Sequence, residues 1–321
     1  MDLQQKTRRF GAWVIVCALL LRLQATVTAD HLAFFLAQPN IAKLLIYLET
    51  GRNVRFSLPP AKSHSAESAA PWTAPEALPV FLPEQAGNLQ MYYGCDLRPD
   101  LETLLTQPLS WYLPLPEPTV LILHSHATEG YADTQDSGYR TTEEAHNMVS
   151  IGKRVAELLS QYGITAIHDR TLHDHPNYNS AYGNSRAAAQ SYLQVYPSIQ
   201  LVLDLHRDAL EQNGTQLPTS ATVGGQRAGQ LMMVMGTNAG GLQHENWQRN
   251  LSLALKLQSW LERQSPGITR PTQLRTQRFN QDLSDGYLLV EVGAAGNTHE
   301  EAMLAAEQLA YAIVALSKGT Q

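Results

Sequence analysis

Three apolar runs of strand length each end in imidazoles and carboxylates. Val120–Leu123 leads into His124-Ser125-His126-Ala127-Thr128-Glu129, Leu201–Leu203 into Asp204-Leu205-His206-Arg207-Asp208, and Tyr287–Val290 into Glu291-Val292-Gly293. Short unbroken apolar runs are what strands covered on both faces look like. Between them the period changes to that of helices. Glu143–Tyr162 predicts an amphipathic helix, with Met148, Ile151, Val155, Leu158 and Tyr162 on one stripe and Gly163 as its stop. Further strands are expected at Ile164–Ile167, Ile199–Leu205, Gln230–Met235 and Tyr287–Val292, and helices at Asn184–Val195 and Asn246–Leu261. A last helix starts at Thr298, whose hydroxyl caps while Glu301 answers three residues on. This alternation, regular from Pro118 onward, predicts an α/β fold: a largely parallel sheet flanked by helices.

Upstream the texture differs. Lys6, Arg8 and Arg9 precede the apolar stretch Phe10–Leu21, and Arg22 follows it. A basic flank before an apolar run is a targeting pattern. The run is shorter than the roughly 20 residues of a full span, but Arg22 can snorkel and let Leu23 and Ala25 extend it. We read residues 1–29 as a membrane anchor or signal segment, uncleaved in preference to cleaved. That makes the chain a single-pass protein of the cytoplasmic membrane with its main domain on the outer face. Residues 30–116 then hold a membrane-proximal helix at 31–50 and a spacer. Eleven of the 17 prolines lie between Pro59 and Pro118, and Ser57–Pro79 offers little apolar surface to bury. The catalytic domain is expected over 117–321. A net charge of −6 argues against nucleic acid as the main partner. The two cysteines, Cys17 and Cys95, do not suggest a structural disulfide.

The polar strings define candidate site residues. On a strand, Val202, Asp204 and His206 share one face. Asp204 is thus placed to orient His206, with Asp208 as a second candidate; the alternative is an Asp–His ion pair without a metal. His126 and Glu129 lie three apart in the turn after a strand, and His124 is a further ligand or a donor behind one. Glu144 is a second candidate carboxylate, ranked below Glu129. Two His, one Glu and a position for water are the donor set of a catalytic zinc, so His126, Glu129 and His206 are assigned to Zn2+. Glu291, at the end of an apolar strand, is desolvated and suited to proton transfer; the alternative is a buried Glu paired with Arg207 or Arg186. The Arg275–Arg278 run reads as solvated surface. The His168–His175 cluster reads as loop polarity rather than a second metal site. Asn213-Gly214-Thr215 matches the glycosylation tripeptide.

These strings, with Tyr139-Arg140-Thr141-Thr142, Asn147-Met148-Val149 ahead of Gly152, Tyr178-Asn179-Ser180-Ala181-Tyr182, Ser185-Arg186, Asn246-Trp247 and Asn280-Gln281-Asp282-Leu283-Ser284, resemble the stage II sporulation protein P family of spore-forming bacteria. The match runs from about Pro118 to Ala315. Phe279 stands where the family leads one to expect Tyr, Ser125 where Thr is usual, and Ala294-Ala295 where Gly is more frequent. The resemblance implies a membrane-anchored peptidoglycan hydrolase with a catalytic domain similar to zinc N-acetylmuramoyl-L-alanine amidases. It implies cleavage of the amide between muramic acid and L-alanine, and of peptide cross-links, during engulfment of the forespore. It also implies partners: a lytic transglycosylase and a membrane scaffold protein. In that reaction Glu291 moves the proton and Arg207 helps to stabilise the oxyanion. Two other readings remain open, a zinc carboxypeptidase-like wall peptidase and an inactive wall-binding scaffold.

Overall fold

The apolar runs pair into one seven-stranded sheet. We describe it from a computed structural model, whose described residues are 79–134 and 138–318. The N-terminal segment, the stretch at 31–50 and the spacer up to residue 78 lie outside them. In chain order the elements are β1 (Met91–Tyr93), α1 (Leu101–Thr106), β2 (Val120–Leu123), α2 (Met148–Gln161), β3 (Ala166–His168), α3 (Ala181–Val195) and β4 (Leu201–Asp208). Two small hairpins follow, β5 (Glu211–Gln212) with β6 (Thr215–Gln216), and β7 (Ala221–Val223) with β8 (Gln226–Ala228). Then come β9 (Leu231–Gly236), α4 (Trp247–Gln264), β10 (Thr272–Arg275), β11 (Tyr287–Ala294) and α5 (His299–Leu316).

The strand order is β1-β10-β9-β11-β4-β2-β3. Strands β3, β2, β4 and β11 run parallel, as do β9, β10 and β1, and the two groups meet at one antiparallel seam between β11 and β9. The sheet is therefore largely parallel, as its near-continuous apolar strands require.

Strand alternation divides the core. Leu201, Leu203 and Leu205 of β4 and Leu288, Val290 and Val292 of β11 join the main core with α2, α4 and α5. Val202 and Tyr287 face the other side, with Leu121, Leu123 and Ala189 of α3. Asp204 and His206 share this second face with Val202, and the register sets Leu289 beside Asp204 and Glu291 beside His206.

Several boundaries differ from the sequence reading. The domain does not begin at residue 117: β1 pairs with β10 at the sheet edge, and α1 packs on α4. Leu104 and Leu105 of α1 are buried, and the buried Lys256 of α4 donates to both of their carbonyls. A three-residue strand with an exposed Tyr92 carries too little apolar period to be read locally. The helix expected from Glu143 starts at Met148. Asn147 adopts an extended backbone and caps it, its Oδ1 accepting from Val149 N at 2.9 Å. Arg275, read as solvated surface, closes β10. The capping box at Thr298 and Glu301 is present as expected.

Candidate active site

The carboxyl ends of β2, β4 and β11 bring His126, Glu129, His206 and Glu291 together on the second face of the sheet. This is where an open α/β sheet presents loops that can act on a ligand. The loop after β2 is held firmly. Tyr131 is fully buried and donates to Val292 O at 2.8 Å. Burial of a side chain of this size contributes about 1.5–3 kcal/mol. Arg207, also buried, donates from Nε to Gly130 O at 3.0 Å and from Nη2 to Tyr139 O at 2.9 Å. Its backbone N–H donates to Glu129 Oε2 at 3.2 Å. Arg207 thus ties down the loop that carries Glu129, from the face of β4 opposite His206.

His206 is the centre of the group. Its Nδ1 lies 3.5 Å from Glu129 Oε2, and its Nε2 lies 3.0 Å from Asp204 Oδ1, out of line for a hydrogen bond. Burial alone disfavours the imidazolium, but Asp204 and Glu129 outweigh it and raise its pKa well above the ordinary value. Burial likewise acts to raise the Glu129 carboxyl, and His206, Arg207 and His126 bring it below its usual range. Asp204 follows the same pattern, held down by His206 and by Ser125, whose N–H and Oγ donate to it at 2.7 and 2.5 Å. Ser125 Oγ also meets Ser185 Oγ at 2.7 Å, and Asn280 Nδ2 donates to Ser185 Oγ at 3.2 Å. A hydroxyl at position 125 is what this network uses, so Ser serves where the family resemblance suggests Thr.

The His126 ring stands 5.4 Å from that of His206 and stacks on Tyr178 at 4.4 Å. Arg140 lies over the Tyr178 ring at 4.6 Å and donates to Asp174 at 2.9 Å. His126 Nδ1 has no hydrogen-bond partner and lies 3.8 Å from Asp174 Oδ2. Glu291 Oε2 is likewise enclosed without a partner. Burial is the largest influence on the Glu291 carboxyl, which is pushed up to about 8. Neither arginine named as its alternative partner takes it: Arg186 pairs with Asp282, and Arg207 is committed as described.

Two candidates are placed elsewhere. Glu144 is half-exposed and pairs with Arg170, because the helix that was to turn it inward starts four residues later. His124 is fully buried behind the loop. Its Nδ1–H donates to Leu205 O at 3.1 Å, so its Nε2 accepts from His168 Nε2 at 3.0 Å. Burial lowers both imidazoles, to about 4 and about 3, and keeps them neutral. The His168–His175 stretch is accordingly not loop polarity: His173 pairs with Asp169, and both are buried.

The pair explains Gly152. A Cβ there would stand 2.5 Å from His124 Nε2 and 2.6 Å from His168 Nε2. Gly152→Ala gains about 1 kcal/mol of helix propensity. It forces apart a part-buried hydrogen bond and overpacks the site, which together cost more than that gain. The variant is expected to have a lower thermal midpoint than the wild type; an unchanged or higher midpoint would show that the pair is not held as described.

The sequence reading gave Tyr178 and Tyr182 no role. Both rings contact His126, Tyr182 edge-on at 5.5 Å, and Tyr182 lies nearly parallel to His206 at 6.2 Å. Their spacing of four residues, which puts two side chains on one helical face, was the available signal. Phe279, at φ +50°, packs on Met232, Val234 and Leu289 and flanks Tyr182 at 6.0 Å.

Among the described residues no three His, Cys, Asp or Glu side chains form a ready metal cage. The contacts are pairwise, as the His206–Glu129 and His126–Asp174 distances show.

The chain is 27% identical over 207 residues to stage II sporulation protein P of Bacillus subtilis (strain 168), a match covering 60% of this chain and 49% of that protein. The chain therefore matches about half the length of that relative. Among solved structures it is similar to the N-acetylmuramoyl-L-alanine amidase AmiC2 of Nostoc punctiforme, with a TM-score of 0.38 and 17% identity over 61% of this chain and 94% of that one. It is also similar to the CwlD amidase from Clostridioides difficile, solved in complex with the GerS lipoprotein, with a TM-score of 0.40 and 15% identity over 61% and 94%. The sequence profile of the Stage II sporulation protein P (SpoIIP) family matches residues 111–314, most of the sheet and every residue of the candidate site, and the chain belongs to that family.

Proposed function

We propose that this chain is a zinc-dependent peptidoglycan hydrolase that cuts the amide between N-acetylmuramic acid and L-alanine during sporulation. The observation that carries the reading is the convergence of buried His126, Glu129 and His206 with Glu291, whose Oε2 is enclosed, in a chain of this family. The residues fit zinc in the chemistry of their donors, two imidazoles and a carboxylate. His206 Nδ1 and Glu129 Oε2 are 3.5 Å apart, two imidazoles stand ring to ring at 5.4 Å, and His126 Nδ1 is buried without a partner. His126, Glu129 and His206 would hold the ion. Zinc, when bound, acidifies the attacking water and polarises the scissile carbonyl.

The chain's own residues supply the rest. Asp204 fixes the His206 ring, and Ser125 fixes Asp204. Glu291 Oε2 receives the proton of the attacking water and delivers it to the leaving amine nitrogen. Arg207 acts earlier in the chain of causes than the sequence reading assumed, by holding the Glu129 loop. In the same proposal residues 1–29 anchor the protein in the cytoplasmic membrane with this domain on the outer face. Its partners there are peptidoglycan, a lytic transglycosylase and a membrane scaffold protein.

Mass spectrometry of muropeptides after digestion of purified wall, with and without chelator, tests the reading. Free lactyl groups and free L-alanine amino termini, lost on chelation and restored by zinc, are expected. New peptide termini without lactyl release would make the chain a wall peptidase. Zinc-loaded folded protein that releases nothing would make it a binding scaffold.

A further inference from the structure

Amide hydrolysis places negative charge on the carbonyl oxygen, and a preorganised donor aimed at that oxygen is usually the largest single contribution of such a site. The groups around His206 are poor in free donors. Glu129, Glu291 and Asp204 are carboxyl groups. The Arg207 guanidinium is committed to the Gly130 and Tyr139 carbonyls and lies against Glu129. Arg140 is committed to Asp174, Thr128 and Glu129.

Tyr182 is different. It stands in the first turn of α3, its ring edge-on to His126 at 5.5 Å and nearly parallel to His206, with an interplanar angle of 17°. Phe279 flanks it at 6.0 Å. Its backbone carbonyl accepts from Asn280 Nδ2 at 2.9 Å, the same side-chain amide that reaches Ser185 and so the Asp204 network. The ring is fixed on several sides, while its hydroxyl has no hydrogen-bond partner among the described residues. A phenol keeps its proton at neutral pH and so offers one O–H.

We infer that Tyr182 is a further catalytic residue, whose O–H donates a hydrogen bond to the oxyanion of the amide under attack. The inference rests on the amide-hydrolase reading above. In the reaction, water oxygen bonds to the carbonyl carbon and the C=O electron pair moves onto oxygen, where Tyr182 donates without giving up its proton. Glu291 takes the water proton. On collapse the C=O bond re-forms, the C–N bond breaks, and the amine leaves with the proton from Glu291. The products are a carboxylic acid and an amine, and no other reactant is needed.

Tyr182→Phe in the full chain tests this, because it keeps the ring and removes only the hydroxyl. With a soluble N-acetylmuramoyl peptide, kcat is expected to fall about 10²–10³-fold. KM is expected to stay within about threefold, the pattern of a contact made only in the transition state. A phosphinate with tetrahedral phosphorus in place of the scissile carbonyl is expected to bind more weakly by a similar factor, while free N-acetylmuramic acid binds as to the wild type. A kcat within about threefold of wild type would overturn the inference and leave Tyr182 as packing. The wild type run alongside separates the two readings. If it cuts a peptide carbonyl rather than the lactyl amide, the amidase assignment fails and the same comparison on that product still decides the donor role. If it cuts nothing, both fail.

Discussion

Glu291→Gln is expected to keep the fold and to lose turnover by roughly 10²–10⁴-fold, the usual cost of removing a general base. Glu291 is the register partner of His206 across β4 and of Met232 across β9, so it cannot leave the site without breaking the sheet. Its Oε2 is enclosed and unpartnered, and burial raises the carboxyl to about 8. Near neutral pH the wild type therefore buries a largely neutral carboxyl in the absence of zinc, and an amide of the same shape replaces it without uncovering a charge. The amide can neither take nor return a proton.

The stability of this variant has its own pH signature. A carboxyl whose folded pKa lies above its unfolded value binds more protons in the folded state between the two. Wild-type stability is therefore lost as pH rises from the ordinary Glu range towards about 8. In chelator, the midpoint of Glu291→Gln is expected to gain on the wild type over that window. Zinc content and muropeptide release complete the measurement. Zinc retained with turnover lost supports the assignment. Zinc lost in parallel would make Glu291 a ligand and displace Glu129 from that role, and near-normal turnover would move the base to another residue.

Asp204→Ala is expected to destabilise the protein by about 3–5 kcal/mol, the cost of removing one partner from a buried charged pair. Asp204 is fully buried between Ser125 and His206. Deleting its carboxylate strands the Ser125 N–H in the interior and leaves the His206 imidazolium of the zinc-free protein paired with Glu129 alone among the ion pairs of the described residues. The His206 ring also loses what fixes it, so zinc affinity is expected to drop about 10–100-fold. Urea unfolding and zinc titration read the two effects separately. A stability loss under about 1 kcal/mol would mean that Ser185 and solvent replace the carboxylate, and that the network does not hold His206 as described.

Much of this was legible in the chain. The apolar runs at Val120, Leu201, Leu231 and Tyr287 are strands, and the stripes at Met148 and Leu251 are buried faces of helices. Alternation along β4 placed Asp204 and His206 on one face, and the capping box at Thr298 opened the last helix. Such features are local: a period, a cap or an adjacent pair is complete within a few residues. The sequence by itself thus determined an α/β sheet with His126, Glu129, His206 and Glu291 at strand ends.

Other features depend on partners far away in the chain. The short strand β1 becomes a strand only because Thr272–Leu274 offers it a ladder. The antiparallel seam between β9 and β11 is a choice between edges that carry the same apolar pattern. Arg207 looked free to face a substrate, but alternation turns it to the opposite side of β4, where the Gly130 and Tyr139 carbonyls claim it. His124 and His168 become a neutral hydrogen-bonded pair only where β2, β3 and Gly152 meet. Tyr182 enters the site because α3 packs on β2, over the face that carries Leu121 and Leu123. What a polar side chain does is set by which groups must be satisfied once water is excluded, and only the tertiary structure decides which groups those are.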